Sequence, residues 1–87
     1  MNQETNVNTA KLKWACRRGM LELDVLLGNF LNEAYPALQA PEKEHFIALL
    51  ATEDPLLFDY LMGKEAPADA DLRRITDVIR HHARTRL

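Results

Sequence analysis

The chain has 87 residues, of which 47% are hydrophobic and 28% are charged, so it is long enough for one small globular domain. Its formal net charge of −2 gives no bulk electrostatic basis for binding nucleic acid or a membrane surface. A single cysteine, Cys16, excludes a disulfide framework and a Cys-rich zinc site. No apolar run approaches the length of a bilayer span, and the first ten residues lack the pattern of a signal peptide. We therefore expect a cytoplasmic protein without membrane insertion and without a tightly bound cofactor.

The first predicted helix covers about residues 10–18. Residues 1–8 precede it, lack apolar periodicity and are expected to be disordered. Asn8 or Thr9 is the candidate N-cap. Gly19 is expected to end this helix in the left-handed conformation, which glycine adopts without a steric penalty.

The second predicted helix has the clearest apolar periodicity of the chain. Apolar side chains recur there at the spacing of one helical face, at Leu23, Leu26, Leu27, Phe30, Leu31 and Ala34. Gly28 interrupts this helix at a cost of about 1 kcal/mol relative to Ala, which indicates a close contact at that position. Pro36 ends the helix, since a residue before proline is disfavoured in the α region.

Three further helices follow from their start and stop signals. Pro41 lies in the first turn of the third helix, Asp54 is the predicted N-cap of the fourth, and Gly63 closes the fourth. Asp69 or Asp71 caps the fifth helix. Its C-terminal end is basic and expected to be solvated, with Arg80, His81, His82, Arg84 and Arg86. Since no segment alternates like a strand, the sequence predicts an all-α fold, a small five-helix bundle formed by one domain over residues 9–86.

Residues able to do chemistry are sparse, and we predict no catalytic residue and no metal site. Cys16 has no His or Asp at catalytic spacing and is expected to pack in the core. Trp14, the only tryptophan, fits either an anchor in a binding surface or a core residue, and of the two we expect the core. His45 is expected to form a surface pair with Glu42 rather than an acid–base couple.

Polar groups converge at the predicted junction of the first two helices. Arg18 ends one helix, Gly19 makes the turn, and Glu22 lies near position N3 of the next. In a purely structural interpretation, Glu22 caps the free amide groups of its helix. Arg18 then binds backbone carbonyls or pairs with Glu22 or Asp24.

Two stretches of the chain resemble the succinate dehydrogenase assembly factor family, which comprises the bacterial SdhE-type flavinylation factors and their mitochondrial relatives. The first carries an Arg-Gly-x-x-Glu signature, within Trp14-Ala15-Cys16-Arg17-Arg18-Gly19-Met20-Leu21-Glu22-Leu23-Asp24. The second is Asp54-Pro55-Leu56-Leu57-Phe58-Asp59-Tyr60-Leu61-Met62. The resemblance covers essentially residues 9–80.

This resemblance implies a binding chaperone rather than an enzyme, one that promotes covalent attachment of FAD to a histidine of the flavoprotein subunit of succinate dehydrogenase. In bacteria the client is often also the flavoprotein of fumarate reductase. Nucleophile and FAD would both belong to the partner, so no cofactor-binding residues are expected in this chain. Arg18 and Glu22 would form the docking patch, and Gly19 would allow close approach of the partner. The bordering residues would be Arg17, Met20 and Asp24.

Three alternatives remain open at this point. Some members of the family are described as antitoxins that oppose a membrane-associated toxin, which is a different kind of interaction protein. The basic end of the fifth helix suggests a regulator that binds nucleic acid. The net charge and the lack of interleaved aromatic residues argue against this alternative. Direct carriage of FAD is disfavoured because no glycine-rich pyrophosphate loop is present in the sequence.

Overall fold

The structure is a computed structural model that describes residues 10–86. These residues form five α-helices and no strand, which confirms the predicted all-α five-helix fold. The helices are α1 (residues 10–15), α2 (Leu21–Glu33), α3 (Ala40–Leu49), α4 (Asp54–Leu61) and α5 (Ala70–Thr85). A short 3₁₀ turn, Tyr35–Ala37, follows α2 at the predicted proline. Residues 1–8 and both candidate N-caps of α1 lie outside the described part of the chain.

One hydrophobic core holds the helices together, because each contributes an apolar face to it. Helix α5 packs against α2, α3 and α4. The rings of Phe30 and Phe46 pack against each other in the core, with their centroids 5.2 Å apart. The buried apolar side chains are Leu12, Cys16, Leu23, Leu27, Phe30, Phe46, Leu49, Leu50, Leu57, Leu61, Ile75 and Ile79. Within residues 10–86, no helix is both long and apolar enough to cross a bilayer.

The start of α3 follows its predicted signals. The amide of Gln39 donates to Oε1 of Glu42 at 3.1 Å in a capping box, and proline occupies the first turn. Since Glu42 is engaged there, its predicted pairing with His45 is wrong. The Nε2 atom of His45 instead lies 3.5 Å from the carboxylate of Asp71 on α5.

The starts of the last two helices differ in how well they were predicted. Asp69 caps α5 as expected, accepting hydrogen bonds from the two amides at positions 71 and 72. The N-cap of α4 is Glu53, so the prediction that Asp54 caps this helix is wrong by one residue. The carboxylate of Asp54 instead accepts hydrogen bonds from Arg18 and Gly19, which lie far earlier in the chain.

Glycine ends one of the two helices for which it was predicted. Gly63, with φ of +81°, closes α4, and a Cβ atom at this position would collide with the guanidinium of Arg80. Gly19 does not adopt a positive φ, so its predicted left-handed conformation is wrong. Helix α1 also ends at residue 15 rather than at Arg18, because the chain then turns to bring Arg18 toward α3 and α4.

The basic end of α5 is largely exposed, as predicted, but two of its side chains also contact a carboxylate of α2. Nε of Arg86 donates to both carboxylate oxygens of Glu33, at 2.8 and 3.0 Å, and Nε2 of His82 lies 3.0 Å from the same carboxylate. We call Glu33, His82 and Arg86 the far-end cluster. It joins the last residue of α2 to the last turn of α5.

Candidate functional site

Residues 17–20 lie between Cys16 and the start of α2, and we call them the motif loop. Two carboxylates hold its backbone. The amide of Arg18 donates to Oδ1 of Asp24 at 3.2 Å, and the amide of Gly19 donates to Oδ2 of Asp54 at 3.2 Å. The loop is therefore shaped by side chains from α2 and α4 rather than by a helical turn of its own.

The Arg18 side chain turns inward and is only 13% exposed. Its Nη1 atom donates to Oδ1 of Asp54 at 3.1 Å, and its Nη2 atom donates to the carbonyl of Leu50 at the end of α3. Binding to a carbonyl agrees with the structural interpretation of the sequence. The carboxylate that neutralises Arg18, however, is Asp54 and neither Glu22 nor Asp24.

Glu22 has a different environment from the one expected. It occupies position N2 of α2, and no side-chain hydrogen bond caps the start of this helix at Met20. The predicted capping box is therefore wrong, and Glu22 is exposed while Met20 is half-buried against the core. Arg17 also points outward, with 69% of its side chain exposed and Nε lying 3.7 Å from Asp24.

Trp14 lies on the surface, so its predicted burial is wrong. It is 75% exposed, and the guanidinium carbon of Arg17 lies 5.9 Å from the ring centroid. The signal that could have found this is the spacing of Leu12 and Cys16, which are four residues apart and both buried. That spacing fixes the inner face of α1 and leaves Trp14 off it.

The thiol of Cys16 is buried, as expected. Burial raises its pKa to about 11, partly offset by the positive charge of Arg18. A thiol with such a pKa is almost entirely protonated at neutral pH and is a poor nucleophile. Within residues 10–86, no three His, Cys, Asp or Glu side chains are grouped to hold a metal ion.

A cavity of about 450 Å³ opens between α1 and α2, beside the motif loop. Trp14, Arg17, Asp24 and Gly28 contribute to its wall. A Cβ atom added at Gly28 would meet nothing within 4 Å, so the close contact predicted for this glycine is not made within the described chain. The cavity lies between an exposed aromatic ring and charged groups of both signs.

The structure thus gathers the six predicted site residues around one loop but gives them different environments. Arg17, Gly19 and Glu22 are exposed, whereas Arg18 is held inside by Asp54. Asp54 is the residue that the sequence analysis missed as part of this site. Its partners lie 35 and 36 residues earlier in the chain, so local helix rules gave it a capping role instead.

Fold and site together define a small all-α domain that presents a fixed, charged loop on its surface. Comparison with known proteins identifies the family to which this domain belongs. The model of the Sdh5 family, described as flavinator of succinate dehydrogenase, matches residues 10–83, which include most of each of the five helices. The chain belongs to this family, as its two sequence stretches predicted.

Curated relatives agree with this placement. The chain is 49% identical to the FAD assembly factor SdhE of Colwellia psychrerythraea, over 84% of this chain and 80% of the relative. It is 47% identical to the SdhE proteins of Shewanella oneidensis and Pseudomonas aeruginosa. The matches cover 88% and 91% of this chain, and 94% and 92% of those two relatives.

Proposed function

We propose that this protein is an assembly factor that promotes covalent attachment of FAD to the flavoprotein subunit of succinate dehydrogenase. The observation that carries the proposal is the family match over residues 10–83, which spans both the core and the motif loop. The relatives named above are called FAD assembly factors, which supports the proposal. FAD is then the cargo of the reaction and belongs to the partner.

The surface around the motif loop suits the binding of another protein. Trp14 and Arg17 are of the residue types that most often dominate binding energy in interfaces, and both are largely exposed. Leu21 and Val25 extend this surface along one side of α2, with 72% and 51% of their surfaces exposed. A small protein leaves such side chains in water at a cost in solubility, which a partner would relieve.

Within this surface we assign contact and support to different residues. Arg17 and Glu22 are exposed and of opposite charge, so they are suited to fix the orientation of a partner. Gly19 is exposed and offers no side chain to obstruct close approach. Met20 and Asp24 border this contact surface. Arg18 belongs to the site through the loop geometry it stabilises, because little of its own side chain is exposed.

The mechanism that follows is conformational. The histidine nucleophile and FAD both lie in the flavoprotein, so this chain contributes by binding and not by a catalytic step of its own. To accelerate the reaction it must bind the conformer in which histidine and flavin meet more tightly than it binds other conformers. Holding two reactants together in this way can contribute several kcal/mol, up to about 7–11 kcal/mol in well-oriented systems.

The proposal extends to further properties of the protein. The flavoprotein of fumarate reductase is a second client, and binding takes place in the cytoplasm without insertion into a membrane or contact with nucleic acid. The chain itself holds FAD weakly or not at all.

The test is covalent flavin on the flavoprotein subunit, measured as fluorescence of the denatured band in a gel. Cells lacking this gene are complemented with the wild type, with Glu22→Ala, or with Glu65→Ala as a matched control. Glu65 is also an exposed glutamate, but it lies in the connection between α4 and α5. We expect the wild type and Glu65→Ala to restore the band and Glu22→Ala to reduce it at least tenfold.

Circular dichroism of each purified variant accompanies this assay. Because Glu22 makes no capping bond in α2, its substitution should leave helix content unchanged. A band of equal brightness in every strain, including the strain without the gene, would contradict the proposed function. The antitoxin alternative would then take its place, and co-purification of a small membrane protein would support it.

A further inference from the structure

The carboxylate of Asp54 binds two consecutive residues of the motif loop. Its Oδ1 atom accepts from the Arg18 guanidinium at 3.1 Å, and its Oδ2 atom accepts from the Gly19 amide at 3.2 Å. Both oxygens are therefore committed to the Arg-Gly step of the Arg-Gly-x-x-Glu signature. Asp54 contributes this contact from the first position of α4, on a different part of the chain.

The motif loop depends on this contact for its shape. Backbone hydrogen bonds stop at the amide of Arg17, which donates to the carbonyl of Trp14, and begin again at the amide of Asp24, which donates to the carbonyl of Met20. Between them, the described hydrogen bonds of the Arg18 and Gly19 amides go only to carboxylates. Charged hydrogen bonds of this kind are stronger than neutral ones and orient the groups that they join.

The Arg18 half of the contact is partly sheltered from water, whereas the Gly19 half lies at the surface. The side chains of Arg18 and Asp54 are 13% and 26% exposed. Arg18 is anchored a second time on the carbonyl of Leu50, so the junction between α3 and α4 serves as one support for the loop. The outward groups on either side, Arg17 and Glu22, take their relative placement from this support.

We infer that Asp54 is a positioning residue for partner binding: it orients the motif loop so that Arg17, Gly19 and Glu22 meet the flavoprotein in one arrangement. The inference rests on the proposed function and adds to it a residue outside the signature. Asp54 acts through the loop, because its own oxygens are occupied within the chain.

The test uses Asp54→Asn, which keeps the size of the side chain but replaces one acceptor oxygen with a donor. Asp59→Asn is the matched control, since Asp59 is a half-buried aspartate on the same helix. Two quantities are measured on the purified full chain. The first is the hydrogen exchange rate of the Gly19 amide, followed by NMR. The second is the concentration of chain that gives half the maximal rate of covalent flavin formation on the apo-flavoprotein with FAD.

We expect Asp54→Asn to accelerate exchange at the Gly19 amide at least tenfold and to raise the half-saturating concentration at least tenfold, with the maximal rate retained. Asp59→Asn should change neither quantity. Loss of positioning weakens binding, whereas partial unfolding would lower helix content and accelerate exchange throughout the chain. Unchanged exchange at Gly19 would overturn the inference, and so would faster exchange with an unchanged half-saturating concentration.

A second variant covers the case in which Asp54→Asn does not fold. Asp54→Glu keeps the charge but moves the oxygens by one methylene, so we expect the ion pair with Arg18 to survive and the Gly19 contact to be lost. The half-saturating concentration should then rise at least threefold, and a wild-type value would overturn the inference. Failure of the proposed function is seen separately, as a wild-type chain that accelerates flavin attachment at no concentration. The exchange rate at Gly19 would still decide whether Asp54 positions the loop.

Discussion

Two ion pairs at the two ends of α2 join distant parts of the chain, and they differ in burial more than in distance. At the far-end cluster, Glu33 and Arg86 approach to 2.8 Å, but their side chains are 42% and 40% exposed. At the motif loop, the corresponding distance between Arg18 and Asp54 is longer, 3.1 Å. That pair is nevertheless mostly shielded from solvent.

Burial, and not distance, separates a structural ion pair from a surface contact. Exposed pairs gain little because water and salt screen their attraction and because long side chains lose freedom in making them. A sheltered pair cannot be broken on one side without leaving its partner charge poorly solvated. We therefore expect the motif loop to depend on its ion pair and the far end of α2 to tolerate loss of its own.

Breaking the ion pair between Arg18 and Asp54 should destabilise the protein more than any other substitution proposed below. Arg18→Ala removes the donors to Asp54 and to the carbonyl of Leu50, and we expect the free energy of unfolding to fall by about 2–3 kcal/mol. For a chain of this size, that lowers the melting temperature by roughly 10–20 °C. Thermal unfolding followed by circular dichroism measures the change.

Arg86→Ala is the matched control, since it removes an arginine from the exposed pair. We expect its melting temperature to lie within about 2 °C of the wild type. Equal losses in the two variants would contradict the distinction between the two ends of α2.

A smaller change in stability, this time an increase, is expected from a substitution at Gly28, which lies in α2 between the two ion pairs. Gly28→Ala adds a methyl group to the interior of α2, where no described atom lies within 4 Å of the new Cβ. We expect the free energy of unfolding to rise by about 0.5–1 kcal/mol, because alanine loses less backbone freedom than glycine in a helix. Chemical denaturation measures it, and a loss of stability would show that the cavity beside Gly28 is narrower than described.

The smallest effect is expected at the far-end cluster and depends on pH. Hydrogen bonding from Arg86 holds the pKa of Glu33 below its ordinary value of 4.5, and His82 acts in the same direction. A lowered pKa in the folded state stabilises the protein above about pH 4.5, and this contribution is lost as the pH falls through the folded-state value. Glu33→Gln should therefore melt slightly below the wild type at pH 7, by less than about 2 °C.

The same difference should be smaller at pH 3 than at pH 7. It should also disappear in 1 M salt, where the Debye length is roughly 3 Å. Melting curves of both proteins under the three conditions provide the test. A difference that grows as the pH falls would mean that Glu33 has a raised pKa in the folded state, contrary to its contacts.

Local rules predicted the helices well where local physics determines them. The apolar face of α2, the proline in the first turn of α3 and the cap at Asp69 all appear in the structure as expected. Each of these features depends on residues within about one or two turns of one another. The family was also predicted correctly, because its two sequence stretches are specific.

Prediction from the sequence was less successful at the site because the site is built by long-range contacts. The orientation of Arg18 is set by Asp54, 36 residues later, and no helix rule connects the two. Helix α1 ends earlier than predicted for the same reason, because the chain turns after residue 15 to bring Arg18 to Asp54. Burial of Trp14 was a wrong expectation of a different kind, since the neighbouring spacing of Leu12 and Cys16 contained the needed information.

The span from Arg18 to Asp54 also has a consequence for synthesis of the protein. A nascent chain exposes the Arg-Gly-x-x-Glu segment first, but the carboxylate that shapes it is added 36 residues later. At ordinary translation rates this delay is about 2–7 s. During that interval the segment exists without its support, so the newly made protein gains its binding shape only after most of its length has been translated.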